Sequence, residues 1–356
     1  DRTIVKDDIL FSEIRPANRR FAKVTTEDTK DYVVSTKLMV LRKYNEDVDL
    51  EYFYYCLTNQ PFLDILQRRA ENRIGSFPQI TFDLLSEYAF PIPPISEQKR
   101  ISSVIATLDK KIALNRAINQ NLEAMAKLLY DYWFVQFDFP NEEGKPYKSS
   151  GGEMLWNDKL KRNIPVGWHC GNLFEIAVFT NGLACQKFRP KDDEVPLPVI
   201  KIREMHDGIS VDTEEVTSNI PESVKVYNGD VLFSWSASLE VMLWAYGLGG
   251  LNQHIFKVTS ANDFPKSFYY FQLLDYVNVF KKMAEARKTT MGHITQDHLQ
   301  QSTIAIPDNK DIADKFEELI SPIFRQIVKL QEEISNLIKQ RDELLPLLMN
   351  GQITIE

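Results

Sequence analysis

The chain repeats its own sequence, and this repeat limits the possible folds more than any other feature. The segment "DILFS" at 8–12 returns as "DVLFS" at 230–234. Further matches follow in the same order at a nearly constant offset: "FYY" at 53–55 and 268–270, "AENR" at 70–73 with "AEAR" at 284–287, "IT" at 80–81 and 294–295, and "FPIP" at 90–93 with "IAIP" at 304–307. We therefore expect a duplicated globular unit, in which each copy forms the same elements in the same order.

Each copy is followed by a segment with the spacing of a long coiled-coil helix. The two predicted helices, 95–136 and 309–350, each run for about 40 residues, or about 57 Å at the helical rise. Apolar residues recur at alternating intervals of three and four, which is typical of a coiled coil. The first seam holds Ile101, Ile105, Leu108, Ile112, Ile118, Leu122, Met125, Leu129 and Trp133, and the second holds Phe316, Ile320, Ile323, Ile327, Leu330, Ile334, Leu337, Leu344 and Leu348. We expect the helices to pair antiparallel and to hold the two units apart.

Two polar residues interrupt these seams. Asn115 and Arg341 stand where an apolar residue is expected. One interpretation is a solvated irregularity near a helix end. The other is that a polar residue in the seam fixes the register of the pair.

Composition restricts the function classes. The chain has 356 residues, is 44% apolar and carries a formal net charge of -8, so it can bury two cores. Any nucleic-acid binding must then depend on local basic clusters. The odd number of cysteines, Cys56, Cys170 and Cys185, shows no paired spacing, which favours a reducing cytoplasm over a disulfide framework or a zinc site. The sequence shows neither a membrane-spanning run nor a signal peptide.

A series of motifs resembles a known family. Four segments occur in order: "IPVGW" at 164–168, "NGDVLFSWSAS" at 228–238, "LNQHIFKV" at 251–258 and "MGHIT" at 291–295. The first long helix begins with "ISEQKRI" at 95–101. With the connector "WFVQFDFPNEEGKPYKSSGGEM" at 133–154, the whole chain resembles the specificity subunits of type I restriction-modification enzymes. The resemblance implies an α+β fold: two α/β target recognition domains in a pseudo-twofold repeat, separated by a long antiparallel two-helix coiled coil.

The domain boundaries expected from this resemblance follow the repeat. They are a first recognition domain at 1–94, the first long helix at 95–136, a connector rich in turn residues at 137–163, a second recognition domain at 164–308, the second long helix at 309–350 and a tail at 351–356. Asp1 aligns with Ser223, so the first copy lacks a counterpart of 164–222. We expect that the first domain is missing its N-terminal part; a family arrangement that starts at a different point is the alternative.

The resemblance also implies a function. The chain would be a non-catalytic subunit in which each recognition domain reads one half of a bipartite duplex DNA target. The helices would set the spacing and dock two modification (methyltransferase) subunits, through which restriction (translocase and nuclease) subunits join. The complex would direct adenine methylation and restriction in host defence, in the cytoplasm of a bacterium or archaeon. S-adenosylmethionine, ATP and Mg²⁺ are expected only in the partner subunits, with no cofactor in this chain.

Candidate DNA-binding residues occur in basic clusters and at the ends of predicted strands. Basic side chains suit phosphate contacts, and amide, hydroxyl, imidazole or guanidinium groups suit base edges. The candidates are Arg15, Arg19, Arg20, Lys23 and Arg73 in the first unit, and Ser234, Trp235, Ser236, Asn252, Gln253, His254, Lys282, Arg287, Lys288 and His293 in the second.

Each of these candidates has a simpler alternative. A basic residue can be an ordinary solvated charge, His254 can be a structural hydrogen-bonding residue, and Ser234 and Trp235 can be packing residues. The repeated "FYY" is expected in the core, because base stacking suits single strands.

Sequence motifs for catalysis were not found. The chain has no phosphate-binding GxxxxGK[ST], "GLGG" at 247–250 does not complete GxGxxG, and "IPPI" at 92–95 lacks the asparagine of adenine methyltransferases. Two other classes stay open: a coiled-coil scaffold that binds proteins, and a nuclease built on Asp192, Asp193 and Glu194. A scaffold predicts no sequence-dependent duplex binding, and a nuclease predicts metal-dependent cleavage by the isolated chain.

Overall fold

The computed structural model describes residues 3–72, 78–191, 193–236, 238–286 and 294–353, and within 283–286 the backbone alone. Its contacts divide the chain into two compact units, one formed by 1–114 and 336–356 and the other by 115–335. Each unit therefore takes part of both long helices. Within the described ranges, none of the helices combines the length and the apolar composition that a membrane span requires.

The first unit packs helices on a three-stranded antiparallel sheet. Its strands are β1 (Ile9–Ser12), β2 (Phe21–Lys23) and β3 (Leu38–Leu41), in the order β2-β1-β3. Its helices are α1 (Leu50–Thr58), α2 (Gln60–Glu71), α3 (Phe82–Ser86) and the beginning of α4 (Ile95–Tyr130). Phe11 from the central strand packs with Leu63 and Leu66 of α2 in a core from which water is excluded. The repeated strand thus forms the centre of this unit.

The second unit is larger and has further sheets. Its strands are β4 (Met154–Asn157), β5 (Arg162–Pro165), β6 (Trp168–Gly171), β7 (Ala177–Asn181), β8 (Leu197–Ile200), β9 (Glu215–Val216), β10 (Lys225–Val226), β11 (Val231–Ser234), β12 (Glu240–Leu243), β13 (Gly249–Leu251), β14 (Ile255–Ser260) and β15 (Ile304–Pro307). Its helices are α5 (Leu173–Ile176), α6 (Ile202–Asp207), α7 (Lys266–Ala286), α8 (Gln296–Gln300) and most of α9 (Asp311–Met349). The main sheets have the orders β12-β11-β14-β7 and β10-β13-β8-β9, with β15 paired to β6 and β4 to β5. The predicted α+β class is confirmed.

The duplicated sequence forms the same local structure in both units. β1 pairs antiparallel with β2 and β3, just as β11 pairs antiparallel with β12 and β14. The aspartate that precedes each strand closes the same turn: the Asp8 carboxylate accepts from Val5 N at 2.8 Å, and the Asp230 carboxylate accepts from Tyr227 N at 2.8 Å. The residue before each aspartate has a positive φ, 71° at Asp7 and 87° at Gly229.

The two long helices run antiparallel within each unit. In the second unit, Asn115 Nδ2 donates to Glu333 Oε2 at 3.1 Å, and Asn119 Nδ2 donates to the Ile327 carbonyl at 3.3 Å. In the first unit, Arg341 Nη1 lies 3.0 Å from Asp109 Oδ1. Residue numbers thus rise along one helix as they fall along the other.

Both polar seam residues bond across the helix pair. Asn115 is only 4% exposed, and Arg341 pairs with Asp109. Their interpretation as solvated irregularities is therefore wrong, and the pairing is the kind that a register-fixing role requires.

The seam of α4 departs from the sequence expectation after Asn115. Ile118 and Met125, which were expected to face the partner helix, are 37% and 45% exposed, and Asn119 and Ala126 take the buried positions instead. An α-helix has 3.6 residues per turn, so a step of four after Asn115 shifts the buried positions from Ile118 and Met125 to Asn119 and Ala126. Most other predicted seam residues are buried; Leu108, Leu122, Leu129, Ile323 and Leu344 are half-buried.

A π-helical turn ends α4 and inserts aromatic side chains into the second unit's core. The turn spans Asp131–Val135, and its Trp133 and Phe134 are buried. Both rings contact Phe316 of α9, at centroid distances of 5.5 and 5.0 Å. A π turn holds about one more residue per turn than an α-helical turn. The adjacent side chains of Trp133 and Phe134 both enter the same core.

The connector after α4 is more ordered than its composition suggests. Phe137 is 1% exposed, and the guanidinium of Arg162 lies 4.4 Å above its ring. β4 and β5 form a hairpin. β4 lies within the predicted connector at 137–163, and β5 crosses its C-terminal end. The turn residues at 137–163 therefore join packed elements rather than form a loose loop.

Candidate nucleic-acid interface

The end of β11 shapes the loop in which several candidates lie. Ser234 is fully buried; its hydroxyl donates to the Ser238 carbonyl and accepts from Glu240 N at 3.1 Å. Ser236 and Asn252 are also buried, at 7% and 8% exposure. These three predicted DNA-contacting residues lie inside the fold. Ser234 therefore has the packing role that its sequence context left open.

Trp235, Gln253 and His254 gather at the surface beside these buried residues. The rings of Trp235 and His254 are 5.6 Å apart, and Trp235 Nε1 donates to Asn181 Oδ1 at 3.2 Å. His254 is exposed, and its Nε2 lies 3.4 Å from Gln253 Nε2. We call Trp235, Gln253, His254 and Asn181 the tryptophan cluster. It brings amide, imidazole and indole groups together at the ends of β7, β11 and β13.

A glycine allows the next loop to approach this cluster. A Cβ on Gly182 would lie 2.2 Å from the Asn252 carbonyl oxygen, so only glycine fits there. The adjacent Leu183 N donates to the Leu251 carbonyl, and Gln253 N donates back to Leu183, both at 2.8 Å. The loop that follows thus leaves from the same edge as Gln253 and His254.

This loop carries basic residues that sequence reasoning missed. Cys185 is buried and Phe188 packs against the same core, whereas Lys187, Arg189 and Lys191 are exposed. The alternation of buried and basic residues in "CQKFRPK" at 185–191 was the available signal, but it has no counterpart in the first unit and so did not appear in the repeat. We call the three exposed residues the basic loop.

The basic cluster predicted at the end of α7 is described only in part. Lys281 and Lys282 are exposed on α7. Arg287, Lys288 and His293 lie outside the described residues, as does Arg73 of the first unit. The structure therefore neither joins these residues to the tryptophan cluster nor separates them from it.

In the first unit, exposed arginines bracket a strained turn. A 3-10 turn at Pro16–Asn18 has Arg15 and Arg19 on either side, with φ angles of 46° and 52°. Left-handed backbone is costly for residues other than glycine, and such strain concentrates at functional positions. The turn is held on α2, since Ala17 N donates to Gln67 Oε1 at 3.1 Å and Arg19 Nη1 donates to Gln60 Oε1 at 2.6 Å.

Some of the basic residues already form ion pairs with acidic side chains of the same chain. Lys23 pairs with Glu51, so this predicted phosphate contact is already neutralised. Arg42 forms a bidentate pair with buried Asp8; although burial alone would raise the pKa of this carboxyl, the hydrogen bonds from Arg42 hold it below its usual range. Arg15, Arg20 and Arg189 are exposed and form no ion pair with the described part of the chain.

Within the described ranges, no group of three or more His, Cys, Asp or Glu side chains is placed to hold a metal ion. Glu194, one of the three acids considered for a nuclease, accepts from Thr217 Oγ1 at 2.7 Å and from Lys191 N at 2.7 Å, and these bonds lower its pKa. Asp192 lies outside the described residues. The repeated aromatic runs are core residues as expected, with Tyr55 and Phe268 at 5% and 0% exposure.

Comparisons with known proteins identify the family. The sequence matches the family described as type I restriction modification DNA specificity domain over residues 1–124 and 165–340. The type I restriction enzyme HindI specificity subunit of Haemophilus influenzae is 27% identical, over 99% of this chain and 88% of that protein. The MjaIX specificity subunit of Methanocaldococcus jannaschii is 25% identical, over 86% of this chain and 69% of that protein.

A solved structure supports the fold. The S subunit of a type I restriction-modification system from M. genitalium has a TM-score of 0.52 at 14% identity, covering 98% of this chain and 84% of that one. This likeness concerns the fold alone. The family match, which extends over more than half of the sequence, shows that the chain belongs to the type I restriction modification DNA specificity domain family.

Proposed function

We propose that the chain is the DNA sequence-recognition subunit of a type I restriction-modification complex and that each unit reads one half of a bipartite duplex target. The observation that carries this proposal is the repeated three-stranded arrangement around β1 and β11, together with exposed basic and hydrogen-bonding side chains in loops near both strands. Two copies of one reader in a single chain suit a target with two separate parts.

The chemistry of the surface loops fits the two kinds of contact that duplex recognition needs. The chain has a net charge of -8, so phosphate binding must come from local groups such as the basic loop and Arg15. The tryptophan cluster offers the amides of Asn181 and Gln253 and the imidazole of His254, which can bond base edges in a groove. We assign phosphate contacts to the first set and base contacts to the second.

The outer face of α4 is the proposed docking surface for a methyltransferase subunit. Ile118, Met125, Leu128, Tyr132 and Val135 are each at least 37% exposed. Their spacing of three, four and seven places them on one side of the helix and its π turn, away from the seam positions Asn119 and Ala126. We call these five residues the outer stripe. An apolar stripe of this kind suits an amphipathic helix of a partner.

In this proposal the chemistry belongs to the partners. S-adenosylmethionine would bind the methyltransferase subunits, and ATP and Mg²⁺ would bind the subunits that carry out restriction. This chain would determine the DNA sequence at which adenine is methylated. The proposed complex acts on DNA in the cytoplasm of a bacterium or an archaeon.

The test is selection from a pool of randomised duplexes by this chain reconstituted with its methyltransferase subunits. We expect two short enriched blocks at one fixed spacing. In Gln253→Ala/His254→Ala, selection should relax in one block, with a loss of about 1–3 kcal/mol per base contact. In Lys187→Ala/Arg189→Ala, binding should weaken on every sequence, with a salt slope reduced by about two.

Lys159→Ala, an exposed lysine of the β4–β5 turn, is the matched control and should leave both readouts unchanged. Recovery of unenriched DNA would contradict the recognition role. An unaltered motif in Gln253→Ala/His254→Ala would contradict the assignment of base contacts to the tryptophan cluster while leaving the recognition role intact.

A further inference from the structure

A cavity of about 330 Å³ lies inside the second unit, between the long helices and the recognition sheet. Asn119 and Glu123 of α4 form one wall, and Phe324 and Ile327 of α9 form a second. The remaining walls come from β12, which begins at Glu240, and from α7. The cavity is remote from the outer stripe, because Asn119 and Glu123 lie on the opposite side of α4.

Asn119 carries a buried oxygen at this cavity that accepts no hydrogen bond within the described part of the chain. Asn119 is 6% exposed, and its Nδ2 donates to the Ile327 carbonyl at 3.3 Å. A carbonyl oxygen only accepts, so this bond orients the amide and leaves Oδ1 as the free end. Asn119 Oδ1 is buried and accepts no hydrogen bond from the described residues. A buried acceptor in this state costs free energy that a donor would recover.

Two carboxylates line the same cavity. Glu240 Oε2 is buried and makes no hydrogen bond with the described residues, and His206 Nε2 lies 3.2 Å away, at ion-pair distance. Glu123 as a whole residue is exposed, but desolvation of its carboxyl raises its pKa. None of the described residues that line the cavity is a lysine or an arginine. The cavity therefore combines three oxygen acceptors with two carboxylates, of which Glu240 lies within ion-pair distance of His206.

Among the described residues, most of the remaining lining is hydrocarbon or aromatic, and its one further amide, Gln331, already donates to the Tyr246 hydroxyl at 3.0 Å. Val241, Leu243, Leu274 and Ile327 are apolar, and Tyr270 and Phe271 supply rings. Such walls favour an aliphatic chain by burial and a cationic head group by contact with an aromatic face. Anions are excluded by the two carboxylates, and a purely apolar ligand would leave the Asn119 and Glu240 oxygens unsatisfied.

We propose that this cavity binds an aliphatic cation: an ammonium or guanidinium group carried on a short hydrocarbon chain. The cationic donors satisfy Asn119 Oδ1 and neutralise Glu123 and Glu240, and the chain packs on the apolar walls. A free diamine or polyamine has this chemistry, and so does the basic side chain of a protein partner. The proposal does not depend on the DNA-reading role of the unit.

The test is isothermal titration calorimetry of the full-length chain, without DNA, using putrescine as the probe. We expect saturable binding at one site per chain. The uncharged 1,4-butanediol, which has the same length, should bind at least about tenfold more weakly, because each charge-assisted hydrogen bond is worth about a factor of ten or more.

The variants separate this cavity from the acidic surface in general. Glu123→Gln and Glu123→Gln/Glu240→Gln should weaken putrescine binding by at least about tenfold. Glu318→Gln removes an exposed carboxylate of α9 and should have no effect. Circular dichroism checks that the double variant is folded; Glu123→Gln alone changes an exposed residue and keeps the test valid if the double variant is not.

A repeat with the methyltransferase subunits bound distinguishes the two sources. Loss of the putrescine site in that complex assigns the cavity to a partner's basic side chain, and retention assigns it to a free amine. Absence of saturable binding in the isolated chain, equal binding of butanediol, or unchanged affinity in Glu123→Gln/Glu240→Gln would each overturn the proposal.

Discussion

Asp109 joins the helix pair to the recognition part of the first unit, and its removal gives the most direct test of the seam. Its Oδ1 lies 3.0 Å from Arg341 Nη1, and its Oδ2 accepts from the Tyr55 hydroxyl at 2.8 Å. Tyr55 is 5% exposed, and the Arg341 side chain is 22% exposed. Asp109→Ala would therefore leave two largely buried donors without this acceptor.

The magnitude follows from these two donors. The buried Tyr55 hydroxyl would lose its partner, at about 1–2 kcal/mol. Arg341 would keep Asp342, whose Oδ1 is 2.7 Å away, and Asp109 is itself 37% exposed, so its contribution is limited to about 1 kcal/mol. The first unit should lose about 2–3 kcal/mol in total, or about 6–15 °C in melting temperature for a unit of this size.

The assay is thermal unfolding followed by circular dichroism, with hydrogen exchange of peptides from α1, α4 and α9 to locate the change. Asp109→Ala/Arg341→Leu should recover only the part of the loss that belongs to Arg341, about 1 kcal/mol, because an apolar residue then fills the seam while the Tyr55 hydroxyl still lacks its acceptor. Asp342→Ala, at the exposed end of the network, should change stability by less than about 0.5 kcal/mol. A negligible effect of Asp109→Ala, or a double variant less stable than the single one, would refute the reasoning.

Three further predictions concern the repeat, the outer stripe and a histidine. Phe11→Ala and Phe233→Ala each remove a buried ring from a central strand and should lower the free energy of unfolding by about 3–5 kcal/mol. Duplex selection should show that each variant loses a different half of the target. Loss of the same half in both variants would contradict the two-reader proposal. Leu128→Glu, at a position that is 68% exposed, should abolish methyltransferase subunit binding in size-exclusion chromatography with little change in melting temperature; unimpaired assembly would exclude the stripe. Burial disfavours the charged form of His169, but its hydrogen bonds to Asp308 at 2.5 Å and to Glu175 raise its pKa above the usual 6.5. The stabilisation from this pairing is present below the unfolded-state pKa of His169 and is lost as pH rises through its folded-state pKa. His169→Gln should therefore flatten the pH dependence of the free energy of unfolding between these two pKa values. An NMR titration that gives His169 a pKa below 6.5 would contradict the pairing.

The repeat could be predicted because it depends on short-range chemistry. Asp8 and Asp230 accept backbone N–H groups three residues earlier, and a left-handed residue precedes each of them, so the turn is complete within a few residues. The alternating apolar residues that follow then fix which side of the strand is buried. Sequence comparison therefore found the central strand of both units without any knowledge of their neighbours.

The helix seam was predicted only in part. Heptad spacing located both helices and most buried residues, but Ile118 and Met125 were assigned to the seam and are exposed. Two apolar stripes share α4 after Asn115, and a sequence pattern alone does not distinguish the stripe that packs on α9 from the outer stripe. The hydrogen bonds of Asn115 and Asn119 to α9 decide between them.

The candidate interface depended most on tertiary structure. Ser234 and Asn252 have polar side chains that suit base contacts, but both are used inside the fold. The basic loop was missed because it has no counterpart in the repeat, and its position beside Gln253 depends on the close packing of Gly182 on Asn252. This contact joins positions about 70 residues apart.

The duplicated unit and the two long helices could be read from the sequence, because turns, strand alternation and helical spacing are properties of neighbouring residues. The family and the α+β class were implied by the resemblance of the ordered motifs. The burial of individual polar residues, the exposed stripe of α4 and the position of the acidic cavity became known from the folded structure alone. These features depend on contacts between distant segments, such as Asn119 with Ile327 and Glu240 with His206, and on the water that those contacts exclude.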